Sequence, residues 1–360
     1  MSGGVDSSVA AAILKNQGYE VIGVFMQFWF PQGVIYGENR CCSLESYQDA
    51  RAVADVLDIK LYKLNFGNDF KKLIVDKFLS EYKNGRTPNP CVACNKFIKF
   101  DLLLKKARIM FDADYLATGH YVRVEREILN SKFEIRNKFK IQNLKFKLLR
   151  GKDINKDQSY FLYNLNQKSL KYLLFPVGDY TKDRVRELAK KYKLPVHNRP
   201  DSQEICFVGN SHYDFLKKYL KLKPGNIVDG DGNQLGKHQG LPFYTLGQRS
   251  GIGLSGGPWY VTGFNNLKNT LEVTKDQKYS GIYQRELKCH KVNWIMGEPK
   301  FPLQCQAQIR YQSKSYSCVV KKDKAGLKVE FGRPQRAIMA GQSIVFYNNN
   351  DKVLGGGIIC

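Results

Sequence analysis

The sequence predicts an α/β N-terminal domain on a doubly wound parallel sheet, followed by one or two small β domains, the last of them a barrel. Three observations carry this. Strand-like and helix-like segments alternate over the first 120 residues, which implies βαβ connections and a parallel sheet. Beyond about residue 205 the helical patterns thin out, and Gly-rich turns separate short runs such as QAQIRYQ, LKVEFG and SIVFYN. At 360 residues the chain is also too long for one ordinary core.

Residues 7–17 are Ala-rich and helical, and Gly18 stands where a left-handed C-cap stops the helix. EVIGVFM, 20–26, is a short apolar strand. Ser43 caps a helix whose Leu44, Tyr47, Ala50, Val53, Ala54 and Leu57 recur at helical spacing. A second strand follows at 59–65, then a helix to about Lys83. A third strand at 115–118 ends in Gly119-His120. Residues 126–150 alternate basic and apolar residues, as in SKFEIRNKFKIQNLKFKLLR, the pattern of a hairpin with one charged face. That face suits either solvent or RNA. Residues 181–192 form a helix ended by Pro195. The expected divisions are 1–200, 201–280 and 281–360. The chain starts at the loop Met1-Ser2-Gly3-Gly4, so the strand that ordinarily leads into such a loop is absent: either the start is truncated or the sheet lacks that strand.

Fifty-seven Lys and Arg against 33 Asp and Glu leave a net charge of +24, which suits a polyanionic partner such as nucleic acid or reflects a lysine-rich composition throughout. No apolar run reaches the roughly 20 residues needed to span a bilayer, and no secretory signal is visible, so a cytoplasmic location is expected. The nine cysteines are too sparse for a disulfide framework. Cys91 and Cys94 form the one CxxC. The vicinal Cys41 and Cys42 have no evident role.

Two motifs carry chemistry on their own, and a third gains it from their company. SGGVDSS opens directly onto a helix: Gly3 and Gly4 can adopt φ > 0 and leave N–H groups facing an anion, the helix N-terminus adds positive charge, and Ser7 and Ser8 add hydroxyls. No Lys-Ser/Thr follows, so this is no P-loop; the string resembles the pyrophosphate loop of enzymes that split ATP into AMP and pyrophosphate. In GRTPNPCVACNKFIKF, 85–100, Pro88 and Pro90 stiffen the approach, and a cysteine near a helix N-terminus and several lysines is set up to react as thiolate. A buried apolar pair or half of a zinc site are the structural alternatives, and no second CxxC or His pair completes a zinc site. RPDSQEICFVG, 199–209, places Cys206 between Ile205 and Phe207; alone it reads as a strand with a core cysteine.

Taken in order, SGGVDSS, TPNPCVACNKFIKF, ATGHY, KDQSYFL and DSQEICFVG resemble the tRNA-specific 2-thiouridylases over essentially the whole chain. The resemblance implies a pyrophosphatase-type (PP-loop) nucleotide domain, a small central domain and a C-terminal β-barrel. It also implies ATP- and Mg²⁺-dependent thiolation of the wobble uridine of glutamine, glutamate and lysine tRNAs. By motif, Cys94 corresponds to the nucleophile and Cys206 to the persulfide carrier. Ser2, Gly3, Gly4, Val5, Asp6 and Ser7, with Met26 and Gly119, correspond to the nucleotide site. Asn89, Pro90 and Cys91 correspond to the stretch facing the target base, and some members carry Asp where this chain has Cys91, so no carboxylate role transfers there. His120, Lys156, Asp157, Gln158, Arg310, Tyr311 and Gln342 correspond to tRNA contacts, with a strand-end hydrogen-bonding role as the alternative for His120.

The implied chemistry is coherent. Adenylation turns the poor C2 oxygen leaving group of uridine into an AMP ester. A persulfide on Cys206, loaded by a donor protein, either attacks C2 directly or releases sulfide when Cys94 attacks its inner sulfur. Both routes end in a Cys94–Cys206 disulfide that a reductant must open. Rival readings are an iron–sulfur cluster on Cys91, Cys94 and Cys206, an amide-forming ligase sharing the loop, and a non-catalytic RNA-binding protein. A monomer is expected.

Overall fold

The structure is a computed structural model and describes residues 1–31, 43–128, 144–201, 205–209, 211–276, 278 and 280–360. Cys41, Cys42 and most of the charged hairpin tip lie outside the described residues.

The first unit opens with helix α1, Val5–Asn16, whose apolar face of Val5, Val9, Ala12 and Ile13 is buried against Val185, Leu188 and Ala189 of the helix Lys182–Lys191. Gly18 does take a positive φ, +87°, beyond α1. Strand β1, Ile22–Gln27, pairs in parallel with β2, Lys60–Asn65. Between them runs α2, Leu44–Val56, whose N-cap Ser43 accepts a hydrogen bond from the Ser46 N–H at 3.0 Å. Strand β3, Leu116–Ala117, pairs in parallel with β6, Leu173–Leu174. Among the described residues the expected parallel sheet is therefore present as two parallel pairs, and the Met1 ammonium donates to the Val24 carbonyl of β1. The arms of the predicted hairpin are β4, Val122–Ile128, and β5, Leu144–Arg150, antiparallel in full register.

The helical stretch 90–111 starts earlier than the sequence suggests. Asn89 is its N-cap, accepting from the Val92 N–H at 3.3 Å, and Pro90 takes the first helical position, where its missing N–H costs nothing. From Cys94 to Leu103 the turns are π-type, a winding that recurs at functional sites.

Strands β7 (Gly225–Val228), β8 (Gln234–His238), β9 (Tyr260–Asn265) and β10 (Thr270–Thr274) make a four-stranded sheet in the order β8-β7-β10-β9 over a small core of Ile227, Val261, Leu271 and Val273. Strands β11 (Tyr283–Trp294), β12 (Leu303–Gln308), β13 (Tyr316–Asp323), β14 (Gly326–Arg336), β15 (Ser343–Tyr347) and β16 (Val353–Ile359) close a barrel in the order β11-β14-β13-β12-β15-β16. The barrel expected from the strand texture is thus present, with six strands.

The barrel and the first unit share one core. Val122, Leu148, Tyr160, Leu162 and Tyr163 pack with Ile295, Val345, Tyr347 and Val353. Polar ties cross the same boundary: the Tyr160 hydroxyl donates to the Ser343 carbonyl at 2.8 Å, and the Asn293 amide donates to the carbonyls of Tyr163 and Leu165. At its centre Asp157 is buried and uses both oxygens. One accepts from the Gly151 and Ser159 N–H groups, the other from the Arg150 guanidinium at 2.8 Å and the Ser159 hydroxyl. Arg150 also lies over the Tyr347 ring, 3.6 Å from guanidinium carbon to ring centroid. Asp157→Ala would leave the buried Arg150 guanidinium with only the longer pair to Asp351, at 3.7 Å, and should cost about 3 kcal/mol of stability, measurable by denaturant unfolding; a loss within experimental error would refute this.

Candidate functional site

Of the two glycines of the SGGVDSS turn, only Gly3 takes a positive φ, and Gly4 is extended with φ −90°. Gly3 has φ +74°, and a Cβ there would lie 2.3 Å from the Ser46 carbonyl oxygen, so no side chain fits. Gly4 is the N-cap of α1 and, having no side chain, offers no cap to the first-turn N–H groups, which leaves donors for an anion. The Ser7 hydroxyl donates to the Gly4 carbonyl and accepts from the Ser2 N–H, fixing the turn. Gly119 of ATGHY seats directly on this loop: a Cβ there would fall 2.5 Å from the Asp6 carbonyl carbon. Met26 sits near the carboxyl end of β1, the end at which ligands bind in sheets of this kind.

Three residues around the loop were not singled out from sequence. Lys182, buried at the start of its helix, reaches Asp6 at 2.7 Å and Asp201 at 2.7 Å. The Tyr121 hydroxyl donates to Asp6 at 2.7 Å. Asp201 also pairs with Lys156 at 2.8 Å and Arg186 at 3.1 Å. Burial acts to raise the Asp201 carboxyl, but the hydrogen bonds and charges of Lys156 and Lys182 together outweigh it and hold the carboxyl below the usual range. A lysine at a helix N-terminus carries no sequence signal of this role; only the fold brings it to Asp6.

Cys94 and Cys206, 112 positions apart by their numbering, border the same hydrophobic cluster. Both are half-buried and pack on a single cluster that includes Phe70, Phe78, Ile98, Phe207 and Phe215. Phe207 anchors Cys206, its ring edge-on to Phe70, Phe78 and Phe215 with centroids 5.2–5.7 Å away. Val24, Met26 and Leu116, from the strands beside the nucleotide loop, flank the same cluster. Cys91 is exposed, on the first turn of the 90–111 helix. Asn95, next in sequence to Cys94, is buried with its Oδ1 lacking any hydrogen-bond partner among the described residues, an open acceptor that sequence gave no reason to expect. Lys96 has its ammonium pKa lowered by burial and by the neighbouring Lys77 and Lys291, which marks a crowded positive surface on this side of the helix.

The residues matched to tRNA contacts fall into distinct settings. Lys156 faces the nucleotide side through Asp201, Asp157 lies in the buried network, and the Gln158 carboxamide oxygen accepts from the Tyr121 N–H at 3.0 Å. Tyr311 packs on Phe161 with ring centroids 4.3 Å apart; burial first, then the charges of Asp157 and Cys91, push its phenol up. The barrel turn thus packs on Tyr160 and Phe161, the residues that follow KDQ-Ser159. Arg310 is exposed and donates to the Ala337 carbonyl at 2.9 Å. The Gln342 amide donates to the Thr87 carbonyl at 2.9 Å. His120 is buried between Phe100 and Phe175, its Nδ1 2.8 Å from the Thr118 hydroxyl, the setting of a strand-end hydrogen-bonding residue.

With these motifs assembled around one cluster, comparison with known proteins identifies the family. A protein of Clostridium perfringens named tRNA-specific 2-thiouridylase MnmA is 47% identical over 367 residues, covering 100% of this chain and 96% of the relative. The chain belongs to the tRNA-specific 2-thiouridylase family. The proteins of the same name from Carboxydothermus hydrogenoformans, 48% identical over 370 residues, and Clostridioides difficile, 46% over 365, likewise cover 100% of this chain and 96% of their own length. Family models match in three consecutive blocks: the tRNA methyl transferase HUP domain over residues 1–210, the tRNA methyl transferase PRC-barrel domain over 213–275, and the aminomethyltransferase β-barrel domain over 284–359. The three-part architecture of this thiouridylase is therefore that of its family, and the four-stranded sheet is its PRC-barrel unit.

Burial, then the Lys99 charge, holds the His120 pKa well below its ordinary 6.5. The folded state keeps this imidazole neutral while the unfolded chain protonates it near 6.5, so the stability it contributes is present above 6.5 and is lost as pH falls below that value. Thermal midpoints measured from pH 7.5 to pH 5 should fall less steeply for His120→Gln than for the unsubstituted protein; equal slopes would refute this.

Proposed function

We propose that this thiouridylase modifies the wobble uridine of glutamine, glutamate and lysine tRNAs, with Cys206 carrying the sulfur as a persulfide and Cys94 acting as the nucleophile. The observation that carries the reading is the packing of both cysteines on one aromatic cluster whose flank is formed by the strands of the nucleotide loop. Activation and sulfur delivery then occur side by side. Although two of the matching family models bear methyl transferase descriptions, a nucleotide loop with two cysteines bordering one cluster supports thiolation.

ATP binds with its phosphates at the first turn of α1, where the N–H groups that no side chain caps are left for the anion. Lys182 supplies the chain's own positive charge beside Asp6. Mg²⁺ would ride on the phosphates, with Asp6 the carboxylate of the loop, and would neutralise the charge of the departing pyrophosphate. No group of three or more His, Cys, Asp or Glu side chains among the described residues could hold a metal ion. An iron–sulfur cluster on Cys91, Cys94 and Cys206 therefore does not fit the described donor set, and no step is derived through one.

The uridine C2 oxygen attacks the α-phosphate of ATP, releasing pyrophosphate. The terminal sulfur of the Cys206 persulfide attacks C2 and AMP departs with the oxygen; the Cys94 thiolate then attacks the Cys206 sulfur, and the S–S bond to the new thiocarbonyl sulfur breaks. Alternatively, Cys94 first displaces hydrosulfide from Cys206, and the hydrosulfide attacks C2. Either way the two thiols lose two electrons as a disulfide, which an external thiol reductant restores.

Asn89, Pro90 and Cys91, on the capped first turn beside Tyr311, form the face for the target base. The excess of basic residues supports the RNA partner. No helix among the described residues is long and apolar enough to cross a membrane; we assign the protein to the cytoplasm, acting as a monomer that takes sulfur from a persulfide-bearing donor protein. The division near residues 1–200, 201–280 and 281–360 serves nucleotide chemistry, linkage and RNA contact respectively.

The test is ATP-dependent thiolation of unmodified glutamate tRNA with a persulfide donor, read as retardation on a gel containing immobilised mercury. Cys94→Ser and Cys206→Ser should each abolish the retarded band while tRNA affinity stays within about twofold. Full activity in either variant would sink the assignment.

A further inference from the structure

The β-barrel is tied to the approach to the target-base stretch by hydrogen bonds at the backbone of Thr87. Thr87, two positions before Asn89, has both backbone groups engaged by the barrel: its N–H donates to the Ala340 carbonyl at 2.9 Å, and its carbonyl accepts from the Gln342 side-chain amide at 2.9 Å. Gly341 lies between those two partners with φ +89°. A Cβ there would stand 3.1 Å from both the Thr87 nitrogen and the Arg86 Cβ, so the two chains touch at the closest approach their backbones allow. The barrel side of this contact is itself fixed. The Gly341 N–H donates to the Ile359 carbonyl, and the Ile359 N–H to the Gln342 carbonyl, tying the 340–342 turn to strand β16.

Behind the contact the three units do not pack tightly. A cavity of about 590 Å³ lies at their junction, lined by Gly85, Arg86 and Thr87 from the first unit, Tyr244 and Phe264 from the second, and Met339 and Ala340 from the barrel. The approach to Pro88-Asn89-Pro90 is therefore braced by specific hydrogen bonds at Thr87 rather than by a packed wall. Pro88, next to Thr87, transmits its placement, because its fixed φ leaves the chain few other directions before Asn89 caps the helix, and Pro90 fixes the first helical position after it.

We propose that Gln342 is a positioning residue for sulfur transfer: its amide clamps Thr87 and so sets the placement of Asn89–Cys91 and, through the first helical turn, of Cys94. The proposal rests on the reading of that stretch as the base-facing and nucleophilic segment. It assigns Gln342 a different task from the tRNA contact implied by its motif, and it gives the barrel a part in the chemical step as well as in RNA binding. The clamp acts by orientation, and a misplacement of about 1 Å can cost on the order of 100-fold in rate.

The experiment compares Gln342→Ala, Gln342→Glu and Gly341→Ala with the unsubstituted protein in the thiolation assay. The kcat at saturating tRNA, the tRNA Kd and the thermal midpoint are measured for each. Glutamate keeps the size of glutamine but, when ionised, has no donor for the Thr87 carbonyl. Gly341→Ala pushes the two chains apart without touching any residue matched to tRNA. All three should lower kcat roughly 10- to 100-fold with tRNA Kd within twofold and thermal midpoints close to the parent. A weakened Kd with kcat unchanged at saturation would overturn the proposal in favour of a plain tRNA contact, as would full kcat in Gln342→Glu. A midpoint collapse confined to Gly341→Ala leaves the two Gln342 variants to decide. If the unsubstituted protein itself fails to thiolate, the reading of the base-facing stretch falls first, and the clamp with it.

Discussion

Much near the site hangs on a three-residue stretch, Lys156-Asp157-Gln158, whose central carboxylate is buried beside the barrel. Asp157 saturates its carboxylate with Arg150, Gly151 and Ser159. A buried charge is tolerated at such a boundary only when paired and fully hydrogen-bonded, because desolvation otherwise outweighs the Coulombic gain. With that stretch fixed, its neighbours point in opposite directions. Lys156 engages Asp201, which Lys182 links to Asp6 of the nucleotide loop, and Gln158 holds the backbone of Tyr121, next to His120 of ATGHY. Ser159 and Tyr160 continue into the barrel through Tyr347 and Ser343. The SGGVDSS turn and the barrel are thus tied into one network of ion pairs and hydrogen bonds.

The second constraint is apolar. Cys94 is delivered by a helix start that Asn89 and Pro90 determine, and Cys206 by a short segment pinned through Phe207. What brings them together is neither motif but the aromatic cluster beneath, with Phe70, Phe78 and Phe215 contributed by segments that carry no chemistry. Edge-to-face rings in such a cluster hold a surface rigid while leaving its rim open to a substrate. That rigidity matters for a reaction in which one sulfur must meet C2 of a base and another must then meet the first sulfur.

The elements that position chemistry were legible in sequence where local rules decide them. Gly3-Gly4 before an Ala-rich helix, Ser43 as an N-cap and the alternation of the barrel strands each follow from backbone sterics or periodicity over a few residues. The 90–111 helix was placed too late, because the Pro-rich approach disguised Asn89 as loop when it is a cap with proline at the first helical position. The roles of Lys182, Tyr121 and Asp201 were not legible for a different reason, although Tyr121 closes ATGHY and Asp201 opens DSQEICFVG. Their roles depend on pairings across more than a hundred positions in the case of Asp6, and nothing in a lysine after a threonine cap announces a buried ion pair. His120 shows the reverse: its motif suggested an RNA contact, whereas its surroundings of Phe100 and Phe175 are those of a core histidine.

The most direct test of a paired Cys94–Cys206 mechanism is a single turnover without reductant. Persulfide-loaded protein is mixed with unmodified glutamate tRNA and ATP, quenched by alkylation and mapped by peptide mass spectrometry. The account predicts a Cys94–Cys206 disulfide formed in step with thiolated uridine, one for each. Thiolated tRNA accompanied by alkylated Cys94 and Cys206, or by a disulfide to any other cysteine, would contradict it.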